Sequence, residues 1–166
     1  MPENTMTWNV SIRSANFPKR YVRHRDFLVY LDEVSSGEGL PAKDASFKVV
    51  PGLADTRLVS FTPVTWSGYD FTGFYLRHQD FRLKLDKYTD GDRQFAEDAT
   101  FELVPSVGAA PGAGSLYHTA IRAYNLADHY LRHANYELWL GPYESNRQFW
   151  EDSSFDLTGE LAIKLM

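Results

Sequence analysis

The sequence predicts an all-β fold, a β-trefoil assembled from three copies of one unit, and three observations carry that expectation. First, one text recurs: Tyr21-Val-Arg-His-Arg-Asp-Phe27, Tyr75-Leu-Arg-His-Gln-Asp-Phe81 and Tyr130-Leu-Arg-His-Ala-Asn-Tyr136, followed by Asp44-Ala-Ser-Phe47, Asp98-Ala-Thr-Phe101 and Asp152-Ser-Ser-Phe155. The aspartates and the phenylalanines both step by 54, and the histidines at 24, 78 and 133 step by 54 and 55. Second, apolar residues alternate with period two, helical periodicity is weak, and aromatics make up 15% of the chain, a composition that suits strands. Third, a unit of roughly 50 residues made only of short strands cannot bury its apolar face alone, so the copies must pack on one another. Three copies of about four strands suggest a closed threefold arrangement without exposed edges; a propeller of such blades typically needs four or more.

In repeat one, a strand opens at Ser11–Asn16, turns at Asn16-Phe-Pro-Lys19 and enters the Tyr21–His24 strand. The return from Phe27 to Leu31 sets Phe27, Val29 and Leu31 on one face. Ser35-Ser-Gly-Glu-Gly39 is a loop by composition, and Asp44–Val50 reads as a last strand stopped by Pro51-Gly52. Repeat two starts near Val59-Ser-Phe61 and carries an enlarged turn, Thr65 to Gly73. Phe61 lies 17 residues before His78, whereas Ile12 lies 12 before His24. Loops absorb such insertions at little entropic cost. Ser106 to Ser115 is the one low-complexity segment, expected to be a flexible link. Repeat three runs from Thr119, with Asn125 matching Asn16, and its tail, Gly159 to Leu165, is expected to pair with the first strand and close the structure. The chain is thus expected to be one domain over 1–166, with repeats at about 9–55, 56–106 and 116–166.

Bulk properties exclude several function classes. The net charge is -5 with no basic run, which argues against nucleic acid, whose binding is driven by phosphate neutralisation. Cysteine is absent, so disulfides and thiolate chemistry cannot contribute. No apolar run approaches the ~20 residues of a membrane span, and Met1 to Thr7 lacks the pattern of a signal peptide. A soluble monomer with no membrane partner is expected.

Internal repetition shows which positions each copy needs. Phe47, Phe101 and Phe155, with Leu31, Leu85 and Leu140, read as core. Asp26, Asp80 and Asn135 interchange Asp with Asn, which turn chemistry permits and a required charge would not. His24, His78 and His133 never vary, nor do Asp44, Asp98 and Asp152, at separations of 20, 20 and 19. An imidazole beside a carboxylate offers a fixed donor and acceptor suited to adjacent sugar hydroxyls. The same pair could instead be a His–Asp hydrogen bond that clips two hairpins together, with Asp capping a turn. Arg23, Arg77 and Arg132 read as a solvated strand face. Tyr21, Tyr75 and Tyr130 fit either packing or a pocket wall, and Trp66, Tyr69, Phe71 and Trp139 read as turn or outward aromatics able to stack on a sugar.

These motifs resemble the arabinose-binding domain of fungal and bacterial α-L-arabinofuranosidases, the family 42 carbohydrate-binding module. Val49 to Asp55 followed by Val59-Ser-Phe61 is similar to that family's link between its first two repeats, and the likeness covers about 9–158. The resemblance implies a β-trefoil with one pocket per repeat for a terminal arabinofuranose side chain, as on arabinoxylan or arabinan. It implies that the sugar-binding residues are His24 with Asp44, His78 with Asp98 and His133 with Asp152, flanked by Tyr21, Tyr75 and Tyr130. It further implies a secreted protein and, in a longer chain, an attached glycoside hydrolase domain. Arg57-Leu58 stands where relatives often place a cysteine, so the family's disulfide is missing. Repeat three is one residue shorter between His and Asp, with Gly141-Pro-Tyr143 in its loop.

An enzyme would need two carboxylates across one bond. Each repeat supplies one invariant aspartate, and Glu97 and Glu151 align with Lys43, so no shared catalytic pair exists. No catalysis, metal or cofactor is expected. A protein-binding trefoil scaffold, using loops such as 65–73, is the alternative to a sugar binder, as is an accessory domain separated from its catalytic domain.

Overall fold

Each repeat contributes a hairpin, a single turn of helix and two flanking strands to the computed structural model, which describes residues 7–106 and 118–163. In chain order the elements are β1 (Trp8–Ser14), β2 (Arg20–Arg25), β3 (Leu28–Glu33), α1 (Leu40–Asp44), β4 (Phe47–Pro51), β5 (Val59–Pro63), β6 (Phe74–Gln79), β7 (Arg82–Lys87), α2 (Arg93–Asp98), β8 (Phe101–Pro105), β9 (Thr119–Ala123), β10 (His129–Ala134), β11 (Glu137–Pro142), α3 (Arg147–Asp152) and β12 (Phe155–Thr158).

The hairpins β2–β3, β6–β7 and β10–β11 turn on two residues with positive φ: Asp26 and Phe27 (52°, 63°), Asp80 and Phe81 (53°, 64°), Asn135 and Tyr136 (52°, 59°). Two left-handed residues make the tight turn whose twist matches that of the strands it joins, and Asp or Asn tolerates the first position. The second position tips its aromatic ring out of the strand alternation. Phe27 and Phe81 are each 52% exposed rather than core-facing as the alternation suggested.

All strand pairs are antiparallel, and they run across repeat boundaries. Ten strands return on themselves in the order β10-β11-β7-β3-β2-β1-β4-β5-β8-β9 and back to β10, with β12 bridging β1 and β9, and β6 paired to β7. This corrects the expected β-trefoil: the chain is all-β, as predicted, but its strands form a closed antiparallel barrel. The expectation counted repeats, whereas pairings such as β1–β4, β8–β9 and β11–β3 between separate segments set the closure. Phe47, Phe101, Phe155, Leu31, Leu85 and Leu140 fill its core, as their spacing predicted. Where the hairpins meet, Arg82 donates to the carbonyls of Val29, Leu83 and Leu138, one from each hairpin.

Two further expectations change, and a third lies outside the described residues. Almost no helix was anticipated, yet α1, α2 and α3 occupy what read as loop and strand start. Helices this short are marginal alone and exist here through packing of Ala42, Phe95 and Phe149. Asp92 and Asn146 cap α2 and α3 by accepting from the backbone N–H of Phe95 and Phe149. The closing partner of β1 is β12, in the register Ser11 opposite Thr158, and the tail beyond it instead pairs Ala162 with Gly37. Apart from Ser106, the low-complexity segment lies outside the described residues.

Candidate functional site

Each helix ends on the invariant aspartate and so points a carboxylate at the first strand of its hairpin, β2, β6 or β10, where Arg and His are neighbours. Placing an acid at a helix C-terminus is unfavourable for the helix dipole, so cationic and amide donors must hold it there. Arg23, Arg77 and Arg132 do so. Their guanidinium groups reach Asp44, Asp98 and Asp152 at 3.1, 2.5 and 2.7 Å. A second acid lies beyond each arginine: Asp32 at 3.5 Å, Asp86 at 3.6 Å and Glu144 at 3.6 Å. The arginines are therefore largely buried members of the site, not the solvated face expected of them.

His and Asp do not bond directly. Their separations are 3.7, 3.7 and 3.4 Å, and a third side chain fills each gap. At site two, Asn125 donates its amide to Asp98 (2.7 Å) and its oxygen meets His78 Nε2 (2.8 Å). Asn16 does the same at site three, at 3.0 Å to Asp152 and 2.8 Å to His133. At site one the Tyr69 hydroxyl donates to Asp44 (2.9 Å) and lies 2.7 Å from His24 Nε2. A hydroxyl has one proton to give, and the amide oxygen has none, so each imidazole is the donor through Nε2–H. The direct His–Asp hydrogen bond expected of a clip is thus replaced by a bridging side chain at each site. The turn-capping role foreseen for Asp falls instead to Ser46, Thr100 and Ser154, whose hydroxyls donate to helix carbonyls.

Each bridge comes from the next repeat: Tyr69 of repeat two completes site one, Asn125 of repeat three site two, and Asn16 of repeat one site three. No site is complete within one repeat. The sequence exposed the match of Asn16 with Asn125 but not its purpose. Tyr69, expected to face outward, is 7% exposed. Two further members were missed. Gln94 and Gln148, four residues before their aspartates, donate to Asp98 and Asp152 at 2.9 Å. The hexapeptides Arg93-Gln-Phe-Ala-Glu-Asp98 and Arg147-Gln-Phe-Trp-Glu-Asp152 carried that signal; repeat one has Leu40 at the position.

Burial governs the electrostatics. Desolvation takes His24 from 6.5 down to about 4 against the pull of Asp44. It lowers His78 and His133 as well. Burial beside the Asp44 carboxylate pushes the Tyr69 phenol far up, so it stays a proton donor. At neutral pH each site therefore presents a neutral imidazole beside a carboxylate paired with a guanidinium, a set that binds polar neutral groups.

Site one opens into a cavity of about 520 Å³ lined by Arg23, His24, Phe27, Asp44, Tyr69 and Phe71 among others. The tip aromatics stand beside the sites. Phe27 stacks on Phe74 at 5.9 Å, Phe81 on His129 at 5.9 Å, and Tyr136 lies under Arg20 at 3.8 Å and edge-on to Phe17. Tyr21 packs with Val34, Ala42 and Ala45, Tyr75 against Tyr88, and Tyr130 with Phe149; Tyr21 does not line the cavity at site one. Among the described residues no cluster of three metal-ligating side chains occurs.

Residues 10–157 match the family described as the alpha-L-arabinofuranosidase B (ABFB) domain. The chain is 32% identical over 170 residues to an arabinofuranosidase/B-xylosidase of Trichoderma koningii, covering 97% of this chain and 31% of that protein. It is equally 32% identical to an alpha-L-arabinofuranosidase of Hypocrea jecorina over the same shares. Among solved structures, an arabinofuranosidase complexed with arabinofuranosyl-alpha-1,2-xylobiose superposes with a TM-score of 0.78 at 28% identity, over 96% of this chain and 32% of that one. The chain thus spans about a third of the length of these relatives.

Proposed function

The chain belongs to the alpha-L-arabinofuranosidase B (ABFB) domain family, and on that premise we propose that it is a non-catalytic carbohydrate-binding domain for terminal α-L-arabinofuranosyl groups on polysaccharides such as arabinoxylan or arabinan. One observation carries the reading: at every site a bridging group accepts from an imidazole and donates to a carboxylate. That is the hydrogen-bond pattern of a sugar hydroxyl, which both accepts and donates. His24 with Asp44, His78 with Asp98 and His133 with Asp152 are the polar centre of three sugar sites, and Tyr21, Tyr75 and Tyr130 back the same strands. The exposed rings of Phe27, Phe81 and Tyr136 give the C–H face of a sugar a surface to lie on. In the full-length protein this domain, outside the cell, would hold an attached hydrolase against its polymer.

Calorimetry with an arabino-oligosaccharide and with branched polymer tests the reading. A single furanose should bind with a Kd of about 0.1–10 mM per site. Polymer should bind more tightly, because several side chains can engage one rigid domain. His78→Gln should remove one site and leave two. Absence of any arabinoside binding, or release of arabinose by the pure chain, would overturn the reading.

A further inference from the structure

The three sites share a polar centre but not their walls, and one side of site one, formed by Phe27, Leu40 and Phe71, is hydrocarbon. We propose that site one takes an arabinofuranosyl group carrying an aromatic substituent, an aryl glycoside or an aromatic ester on the sugar, a proposal that rests on the arabinofuranose reading above. The inserted turn of repeat two builds this wall. Phe71 meets the edge of His24 at 4.9 Å, Phe27 lies 6.4 Å from Phe71, and Phe74 closes the cluster at 5.5 Å from Phe71. Leu40, 58% exposed, lines the same cavity at the position where Gln94 and Gln148 give amide donors to the other two aspartates. Elsewhere the hydrocarbon is thinner: Phe81 rests on the His129 ring, and at site three Tyr136 lies under the Arg20 guanidinium with Phe17 alone, 5.4 Å from His133, in the place of the Phe71 and Phe74 pair.

Chemistry and size agree. A lone pentose is polar over most of its surface and gains nothing from an exposed leucine. A flat ring joined to it would cover Leu40 and meet Phe27 and Phe71 in the edge and offset geometries aromatic pairs favour. The cavity of about 520 Å³ falls in the range of about 300–1,000 Å³ seen for ligands larger than one pentose. The polar end would still find Asp44, which among the described residues accepts from the side chains of Arg23 and Tyr69 alone and so keeps acceptor capacity that the glutamines take up at the other sites.

The test compares methyl and 4-nitrophenyl α-L-arabinofuranoside, followed by NMR shifts of the three site imidazoles in the whole chain. The aryl glycoside should perturb His24 at about ten-fold lower concentration than the methyl glycoside, with no such preference at His78 and a smaller one at His133, which has Phe17 but a glutamine in place of Leu40. Phe71→Ala should abolish the preference, and Leu40→Gln, a change at an exposed residue that the fold tolerates, should weaken it. Methyl glycoside binding at sites two and three without aryl preference at site one overturns this proposal alone. So does a preference that survives both substitutions, or equal binding of free 4-nitrophenol. If neither glycoside moves any imidazole, the arabinose reading falls first and this proposal with it.

Discussion

Site one and its two siblings reach the same geometry by different routes. In sites two and three the gap between imidazole and carboxylate is bridged by an asparagine in the turn before β10 or β2, and a helix glutamine adds a further donor. In site one a phenol from an inserted turn does the bridging, Leu40 replaces the glutamine, and Pro41 replaces the phenylalanine over which Arg77 and Arg132 lie at 4.7 and 5.5 Å. The difference teaches that a loop inserted in one repeat alters the pocket of its neighbour, because every bridge is lent across a repeat boundary. What persists is the electrostatic pattern; the residues that supply it are free to change.

The largest test of that comparison lies in the carboxylates. Asp98 and Asp152 are each 5% exposed or less and balance a largely buried arginine. Removing one partner of a buried pair leaves the other uncompensated, so Asp98→Ala and Asp152→Ala should each cost about 3–5 kcal/mol in urea unfolding. Asp44→Ala should cost less, since Asp44 lacks the glutamine bond its siblings have. Equal losses at all three would mean that the glutamines contribute nothing.

The imidazoles give the next effect. A folded pKa below the unfolded value means that the unfolded chain takes up protons first as pH falls. Stability from the neutral imidazoles is therefore complete above about pH 6.5 and declines as pH drops toward the folded values. For His24, held at about 4, the shift is worth about 3 kcal/mol across that window. An NMR titration should find all three imidazoles neutral at pH 6.5, with His24 the last to protonate. A His24 that titrates before His78 would show that Tyr69 and Phe71 do not seal site one as their packing implies.

How much of this was legible follows from the range of each signal. Phe47, Phe101 and Phe155 announced themselves because strand alternation is local. The helices did not, since five or six residues span less than two turns and cannot display a 3.6-residue period, and Asp98-Ala-Thr-Phe101 read as a strand start. His and Asp were legible as invariant, and Asn16 with Asn125 as a matched pair, but which residue bridges which depends on contacts 47 and 117 positions apart. Tyr69 had no counterpart to match, because it sits in the unrepeated insertion. The closed barrel in place of a trefoil has the same origin: repeats can be counted in a sequence, whereas strand partners between distant segments cannot.

Bridge deletion should have a middling effect. Tyr69→Phe keeps the ring and removes the hydroxyl, leaving Nε2–H of His24 and an oxygen of Asp44 unsatisfied, at a cost of about 1–3 kcal/mol. Asn125→Ala should cost about as much but also opens space, so water can enter and offset part of the loss. Thermal unfolding of both variants compares them, and a negligible loss for Tyr69→Phe would remove the bridge from the account of site one.

The smallest effect concerns how the aspartates are presented. α2 and α3 carry side-chain caps from Asp92 and Asn146, whereas α1 starts at Gly39 with no side-chain cap and relies on the proline that follows. Gly39 has φ -72° and ψ 164°, the extended geometry of a capping residue, and a Cβ there would meet only the Pro41 Cδ at 3.6 Å, an ordinary contact. Nothing in that conformation requires glycine. Gly39→Asp should therefore give α1 the cap its siblings have and raise stability by a few tenths of a kcal/mol, the usual margin of a side-chain cap over glycine. The gain should shrink in high salt in so far as it comes from the carboxylate at the helix N-terminus. Calorimetric Tm measurements at low and high salt resolve both parts. A destabilised Gly39→Asp would mean that the turn before α1 must stay free of side chains, and that site one differs from its siblings in backbone as well as in the groups that line it.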